Sequence, residues 1–285
     1  GRFPSAQERD AALALVKLLG GFTLAIEVVA VHLGERAGSM TCTALLNRMR
    51  KEGLGKLDDI IGGIRGGIRH GEKLIGATLK PTLDLLSEVE FLVLSYATLL
   101  PPDTIPIQWL RPLVAQGHAE LGKDAKPGYD DPWLSLLNHL LGLRLLQVVD
   151  VDPATGAPRL VRMHRIVGEQ IQKRIHKNFG IHRDRLYTQV RARCNELERT
   201  WHLHQWEIPV LIAFACDLLD RHDPVVPRFL RSLCQWLPEF DKGRYSYPLL
   251  SACLDLLEVS PSVDPLDLST TLSNLGWALD CLGKY

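Results

Sequence analysis

The sequence lacks the motifs of several large enzyme classes. The signature G-x-x-x-x-G-K-S/T, whose backbone cradles phosphates in P-loop nucleotide hydrolases, occurs nowhere in the 285 residues. Nor does a following acidic strand suited to magnesium. Neither the G-x-S-x-G turn of serine hydrolases nor a known context of a nucleophilic cysteine occurs. We therefore expect no catalysis by this chain itself.

An excess of charge of one sign is also absent. Lys plus Arg and Asp plus Glu number 33 each, which removes any global electrostatic argument for binding nucleic acid or an anionic membrane. Locally, residues 159–199 contain eleven Lys or Arg against four acids, a net charge of +7. Two interpretations remain open: a solvated helix face, or a patch that meets phosphates or an acidic partner. We expect no nucleic-acid partner.

Paired cysteines and long apolar runs are missing as well. The six cysteines contain no C-x-x-C pair, and most lie beside Leu and Ala in helical patterns, which favours buried, reduced thiols. Glu27 and Asp217 interrupt the most apolar stretches before they reach the ~20 residues that a bilayer requires. No basic and apolar leader opens the chain. We expect a cytoplasmic protein without a membrane span.

A hairpin followed by a helix is the most informative pattern that is present. Two apolar runs, 145–151 and 160–163, flank the turn-forming residues 152–156. The second run ends at Met163-His164-Arg165, where a helical pattern begins. Helical patterns also precede the hairpin, at 79–100, from Ile105-Pro106 to Val114, and at 133–143. Three helices and a hairpin in this order predict a winged-helix domain.

The remainder of the chain is predicted to be helical. With 46% hydrophobic residues, the chain can bury one large core or several smaller ones. The predicted helices are 6–19 and 23–33 at the beginning and 182–200, 205–221, 225–236, 243–258 and 265–282 at the end. The late helices, joined by short turns, predict an α-solenoid. The fold class is therefore mainly α with one small β-hairpin.

A glycine-rich stretch separates the first helices from the winged helix. Residues 53–76 contain eight glycines, and glycine leaves the backbone conformationally permissive. The predicted organisation is a helical segment at 1–53, a linker at 54–78, a winged-helix domain at 79–178 and an α-solenoid at 179–285.

Three segments, in a consistent order, resemble STAND signalling ATPases of the NB-ARC type. Residues 14–34 are similar to the "GLPLA" helix pair of that family, with Thr23 in the position of the proline. Residues 91–106 resemble the start of its winged-helix domain, and Met163-His164-Arg165 falls at its "MHD" or "HRLV" motif. At the end of the chain, residues 247–285 resemble helices of tetratricopeptide repeats (TPR).

The resemblance implies a bacterial-type signal-transduction switch. ADP or ATP would bind a core that precedes this segment in a longer protein. His164 would donate a hydrogen bond to the β-phosphate of ADP and hold the off state. Arg165, which replaces the usual aspartate, would contact a phosphate or another domain, and Thr23 would lie near the adenine. A ligand or protein partner on the solenoid would then favour opening and self-association.

Two other hypotheses deserve comparison with this one. The chain could be a stand-alone interaction scaffold or a winged-helix transcriptional regulator without a nucleotide switch. Against DNA reading, helix 133–143 is apolar and offers few side chains for base edges. A zinc site at His202, His204, Cys194 and Glu207 is disfavoured, because helical positions two apart point about 200° apart.

Overall fold

The computed structural model describes residues 5–18, 23–35, 39–51, 79–123, 130–175, 179–259 and 264–283. This part of the chain is mainly α-helical and contains a three-stranded antiparallel sheet. The predicted fold class is thereby confirmed. The predicted glycine-rich linker, 54–78, lies outside the described residues.

Three helices form the first part of the chain. They are α1 (Ala6–Leu18), α2 (Thr23–Glu35) and α3 (Cys42–Lys51), and the first two lie where the sequence predicts helices. Helix α1 packs on α3 and buries Leu15. The Glu8 carboxylate accepts hydrogen bonds from the backbone N–H groups of Cys42 and Thr43, at 2.7 and 3.2 Å. A side chain of α1 thus satisfies exposed donors at the start of α3, where negative charge is favourable.

The central part of the chain has the element order of a winged helix. Its elements are α4 (Glu88–Ala97), β1 (Ile105–Pro106), α5 (Ile107–Ala115), α6 (Pro132–Gly142), β2 (Gln147–Val151), β3 (Pro158–Arg162) and α7 (Arg165–Arg174). The strand order is β1-β3-β2, and both pairs are antiparallel. The predicted sequence of helices and hairpin is therefore present.

One prediction in this region is wrong. Ile105 and Pro106 do not begin a helix but form strand β1, which pairs with Val161 and Leu160 of β3. Pro106 has φ −78° and ψ 121°, an extended conformation. Proline cannot donate a ladder hydrogen bond and is confined to strand edges and ends, so the strand stops there and the helix starts at Ile107.

The last part of the chain is an array of helices. Its elements are α8 (Phe179–Thr200), α9 (Ile208–Asp220), α10 (Val226–Leu233), α11 (Leu237–Asp241), α12 (Ser246–Glu258) and α13 (Pro265–Cys281). Their positions follow the predicted spans closely, except that α11 was not predicted. Helix α8 buries Leu186, Val190, Cys194 and Leu197, a spacing that places them on one face.

The pair α12 and α13 packs closely where the start of one meets the end of the other. Gly243, which precedes α12, has φ +80°, and a Cβ there would lie 2.4 Å from the carbonyl oxygen of Ala278. Both the backbone conformation and the space therefore require glycine. The likeness of this pair to TPR helices stays a prediction.

The cysteines follow the prediction only in part. Cys194, Cys234 and Cys253 are buried, whereas Cys216 is exposed. Burial raises the pKa of Cys253 to about 11. Cys216 lies on the outward side of α9. The apolar residues beside it in the sequence predicted burial, but they do not show which side of the helix it occupies. In the described part of the chain, no helix has both the length and the apolar character needed to cross a membrane.

Candidate functional site

His164 lies at the junction between β3 and α7. It is the N-cap residue of α7, with extended backbone angles of φ −63° and ψ 134°. Its Nδ1 atom accepts a hydrogen bond from the backbone N–H of Ile166 at 3.3 Å. The preceding residue, Met163, is tied to the loop after α4, because its N–H donates to the carbonyl of Pro102 at 2.8 Å. The histidine is thus fixed from both sides.

The capping bond determines which nitrogen of His164 can act on a ligand. A neutral imidazole has one donor and one acceptor nitrogen, and Nδ1 is the acceptor here. The proton therefore lies on Nε2, an exposed donor with no partner in the part of the chain described. Burial lowers the pKa of His164, the charges of Arg162 and Arg165 lower it further, and Glu169 opposes them. The imidazole is accordingly neutral at pH 7.

Two arginines flank the histidine and make its surroundings basic. Arg162 donates to the side-chain oxygen of Gln147 at 2.9 Å. Arg165, whose side chain is 74% exposed, pairs with Glu169 one turn along α7 at 3.1 Å. Exposed pairs of this kind are weak, so Arg165 can exchange its partner for a stronger anion. A neutral N–H donor between two cations suits a phosphate or carboxylate.

The third predicted site residue cannot be compared in the same way. Thr23 is the first residue of α2, but its side chain lies outside the described residues. The predicted grouping of Thr23 with His164 and Arg165 around a nucleotide therefore stays a prediction.

Helix α6 has the position of the recognition helix in a winged-helix DNA reader. Its inner face buries Trp133, Leu137 and Leu140. Its exposed positions are Pro132, Leu134, Ser135, Asn138, His139 and Gly142. No Lys or Arg lies on α6, whereas duplex binding depends on cations that neutralise phosphates. The exposed face of α6 thus offers no cation to a phosphate backbone.

A buried ionic cluster that the sequence did not reveal joins the winged helix to the helical array. We call Trp109, Arg193 and Glu207 the Glu207 cluster. The Glu207 side chain is 0% exposed. Its Oε2 atom accepts from Trp109 Nε1 at 2.8 Å and from Arg193 Nε at 3.1 Å, and its Oε1 atom accepts from Arg193 Nη2 at 2.6 Å.

The Glu207 cluster also bears on the disfavoured zinc site. His204 Nδ1 lies 3.7 Å from Glu207 Oε1, yet the carboxylate is already bound by Trp109 and Arg193. Across the described ranges, no group of three His, Cys, Asp or Glu residues is placed to hold a metal ion. A carboxylate whose donors are indole and guanidinium groups acts as a structural tie rather than as a ligand.

No protein-family model, curated protein or solved structure matches the chain. The resemblance to STAND ATPases and to TPR helices is accordingly a prediction that rests on the motifs themselves.

Proposed function

We propose that this chain is the regulatory segment of a nucleotide-dependent switch of the STAND type. His164 donates its Nε2–H to a phosphate of ADP bound in a nucleotide domain of the full-length protein, and Arg165 supplies a second contact. The observation that carries the proposal is the orientation of His164. Its cap bond leaves an exposed, neutral N–H donor between two cations.

The strength of this contact suits a switch. A hydrogen bond to a charged group contributes about 1.5–3 kcal/mol, which corresponds to roughly ten- to a hundredfold in affinity. Such a contribution biases a two-state equilibrium without making it irreversible. Loss of the contact on exchange of ADP for ATP then favours the open state.

The helical array is the sensor in this proposal. A ligand or protein partner binds α8–α13 more tightly in the open form and shifts the balance by that difference in affinity. The opened protein self-associates in the cytoplasm. The segment itself performs no hydrolysis, because it carries neither a P-loop nor a catalytic nucleophile motif.

The test is the nucleotide content of the full-length protein, released by denaturation and quantified by chromatography. We expect near-stoichiometric ADP in the natural protein. Two substitutions separate the two roles of the histidine. His164→Ala removes both the cap and the donor, whereas His164→Asp keeps a capping oxygen but repels phosphate. Both variants are expected to lose roughly 90% or more of the bound ADP.

His202→Ala is the matched control, since His202 is an exposed histidine outside the winged helix. It is expected to retain natural ADP content. If His164→Asp retains ADP as well as the natural protein does, or if no nucleotide is found in any of them, the proposal is wrong.

The second candidate is a stand-alone interaction scaffold without a nucleotide switch. The Glu207 cluster favours it, because a fully buried tie between the winged helix and the array suits a rigid platform. The same chromatography separates the candidates, since a scaffold contains no nucleotide. For the transcriptional version, a gel-shift assay at low salt is decisive, and we expect no shift of duplex DNA.

A further inference from the structure

A groove runs along the surface between α8 and α10, which we call the α8–α10 groove. One wall is a stripe of α8 at helical spacing, which includes Thr188, Arg191 and Asn195, and the other wall is α10 with Arg228. The groove comprises a cleft of about 850 Å³ and a smaller pocket of about 180 Å³. Arg191 and Arg228 line both parts.

The two parts of the groove differ in chemistry. The small pocket is floored by Phe214, Leu218 and Phe229. The larger cleft is lined by polar and charged side chains and by no aromatic residue. A ligand that fills both must therefore combine one apolar group with a longer polar portion.

The arginines of the groove are less neutralised than its acids. Within the described ranges, Arg191, Arg199 and Arg228 form no ion pair, whereas Arg231 pairs with Asp267. Two acids that line the cleft are engaged elsewhere. Glu196 pairs with Arg193 at 2.6 Å, and Asp264 accepts from the N–H of Leu266 at 2.9 Å as the N-cap of α13. Glu198 and Asp264, whose N-cap bond leaves its charge in place, oppose the three unpaired arginines from within the cleft, which leaves an excess of one positive charge.

We propose that the α8–α10 groove binds an extended acidic segment of a protein partner. Carboxylates of the segment pair with Arg191 and Arg228, whose planar guanidinium groups suit two-point contacts with carboxylates. One apolar side chain enters the small pocket, whose volume is about 180 Å³. This assignment is independent of the nucleotide role of His164.

The dimensions of the groove agree with a short peptide. The lining residues of α8 run from Asp184 to Thr200, and sixteen steps of ~1.5 Å give roughly 24 Å. An extended chain advances ~3.3 Å per residue, so about seven residues span the groove.

A nucleic acid or a nucleotide fits the larger cleft less well. Binding of bases relies on aromatic side chains on which they stack, and the cleft has none. The acidic peptide is therefore the favoured occupant.

The experiment measures fluorescence anisotropy of labelled seven-residue peptides against the 285-residue chain. The peptides carry Glu or Asp at three positions and Leu, Phe or Met at one. Matched peptides replace the acids with Gln or the apolar residue with Ser. We expect binding that weakens as salt is raised, and roughly tenfold weaker binding by Arg191→Gln and by Arg228→Gln.

Arg185→Gln is the control variant. Arg185 is an exposed arginine of the same helix, six positions and therefore about 120° around the helix from Arg191. It is expected to bind like the natural chain, and circular dichroism verifies that each variant is folded. The proposal is overturned if no acidic peptide binds at millimolar concentration. Equal binding of the Gln peptides, equal loss in Arg185→Gln, or tighter binding of polyphosphate or ADP than of any peptide would overturn it too.

Discussion

His164 has a structural role, and the ligand-binding role that we propose would fall on the other nitrogen of the same imidazole ring. Nδ1 accepts from Ile166 at the start of α7, and this same bond assigns the proton to Nε2. Aspartate, asparagine, serine and threonine are the usual N-cap residues, so a histidine in this position is not explained by capping alone. The proposed phosphate contact would use the Nε2–H donor, which the usual N-cap residues lack.

The capping role of His164 can be tested through stability. His164→Ala removes the cap of α7 and is expected to cost about 1 kcal/mol, or about 2 °C in melting temperature for a chain of this size. His164→Asp keeps a capping acceptor and adds a negative charge near Arg162 and Arg165. It is expected to melt at or above the temperature of the natural chain, followed by circular dichroism.

Opposite effects of the two substitutions on stability, with a common loss of ADP, would separate the roles. Equal destabilisation by alanine and aspartate would instead mean that the imidazole ring itself packs in the fold.

At this scale, the sequence predicts what is local and misses what is distant. The position of His164 follows from a turn, an alternating strand and a helical pattern within twenty residues. The Glu207 cluster does not follow from any local pattern, because Trp109 and Glu207 are 98 positions apart in the sequence. A carboxylate between Trp206 and Ile208 resembles any surface acid at a helix start until the fold is known.

At the scale of the element, α4 begins with a reciprocal cap. The Ser87 side chain accepts from the N–H of Glu90, and the Glu90 carboxylate accepts from the N–H of Ser87 at 2.8 Å. Glu90 also contacts the ring of His139 on α6, so the cap joins two helices of the winged helix. Burial acts to raise the pKa of Glu90, but the bonds from His139 and Ser87 outweigh it and lower the pKa.

The lowered pKa of Glu90 predicts a pH-dependent contribution to stability. A carboxyl group with a depressed folded-state pKa stabilises the fold above its ordinary value of 4.5 and loses this effect as the pH falls through the folded-state value. Glu90→Gln retains a capping-box side chain but not the charge. We expect it to cost about 0.5–1 kcal/mol at pH 7, and the difference from the natural chain to vanish in acid.

Urea unfolding at several pH values between neutral and acidic measures this difference. Glu88→Gln, an exposed acid in the same first turn, is the matched control, and its smaller effect reports the helix dipole alone. A difference for Glu90→Gln that is independent of pH would contradict the assignment of the stabilising charge.

The elements themselves are largely predictable. Helices α3 and α11 and strand β1 were not predicted, and the last two of these misses have clear physical causes. The long helices were predicted because their apolar residues recur at helical spacing over several turns. Strand β1 has only two residues and is defined by its pairing with β3. A periodic pattern in the local sequence cannot predict such a pairing. Helix α11 is five residues long and has Pro238 in its first turn. In a sequence, a proline marks the end of a helix as readily as its beginning, so it did not indicate a helix here.

At the scale of the whole molecule, several contacts join the winged helix to the helical array. One is the T-shaped pair of Tyr96 on α4 and His182 on α8, whose ring centres are 5.0 Å apart, and two others meet at residues 206 and 207. The Glu207 cluster connects α5 with α8 and the start of α9. Beside it, the guanidinium group of Arg159 on β3 lies 4.7 Å from the ring centre of Trp206. The cation–π contact thus involves Trp206, and the buried ion pair involves the next residue, Glu207. We infer that the hairpin and the array move as one unit while both contacts persist.

The same contacts explain why the domain organisation was harder to predict than the helices. The sequence indicates a boundary near residue 178 from a change of pattern, and nothing local indicates how strongly the two sides interact. Arg193 and Glu207 lie on one side of that boundary and Trp109 on the other. Only the fold brings the indole to the carboxylate.

The Glu207 cluster therefore predicts the cooperativity of unfolding. Glu207→Gln leaves Arg193 with the more exposed Glu196 as its charged partner, and breaking a buried pair costs up to about 3–5 kcal/mol. Because the lost bonds cross between the winged helix and the array, we expect the two parts to unfold separately in the variant and together in the natural chain. Hydrogen exchange with mass spectrometry measures this directly, by comparing peptides from α4–α7 with peptides from α9–α12.

Glu198→Gln serves as the matched control, since Glu198 is an exposed acid of the same region without contact to Trp109. It is expected to preserve concerted exchange, because loss of a surface charge changes stability by little. The Trp109→Phe variant removes a single donor and should give an intermediate effect, while its combination with Glu207→Gln should cost less than the sum of the two. If Glu207→Gln lowers stability while both groups of peptides still exchange in step, the cluster stabilises the chain without coupling its two parts. The coupling must then depend on the remaining contacts, such as those of Arg159 with Trp206 and of Tyr96 with His182.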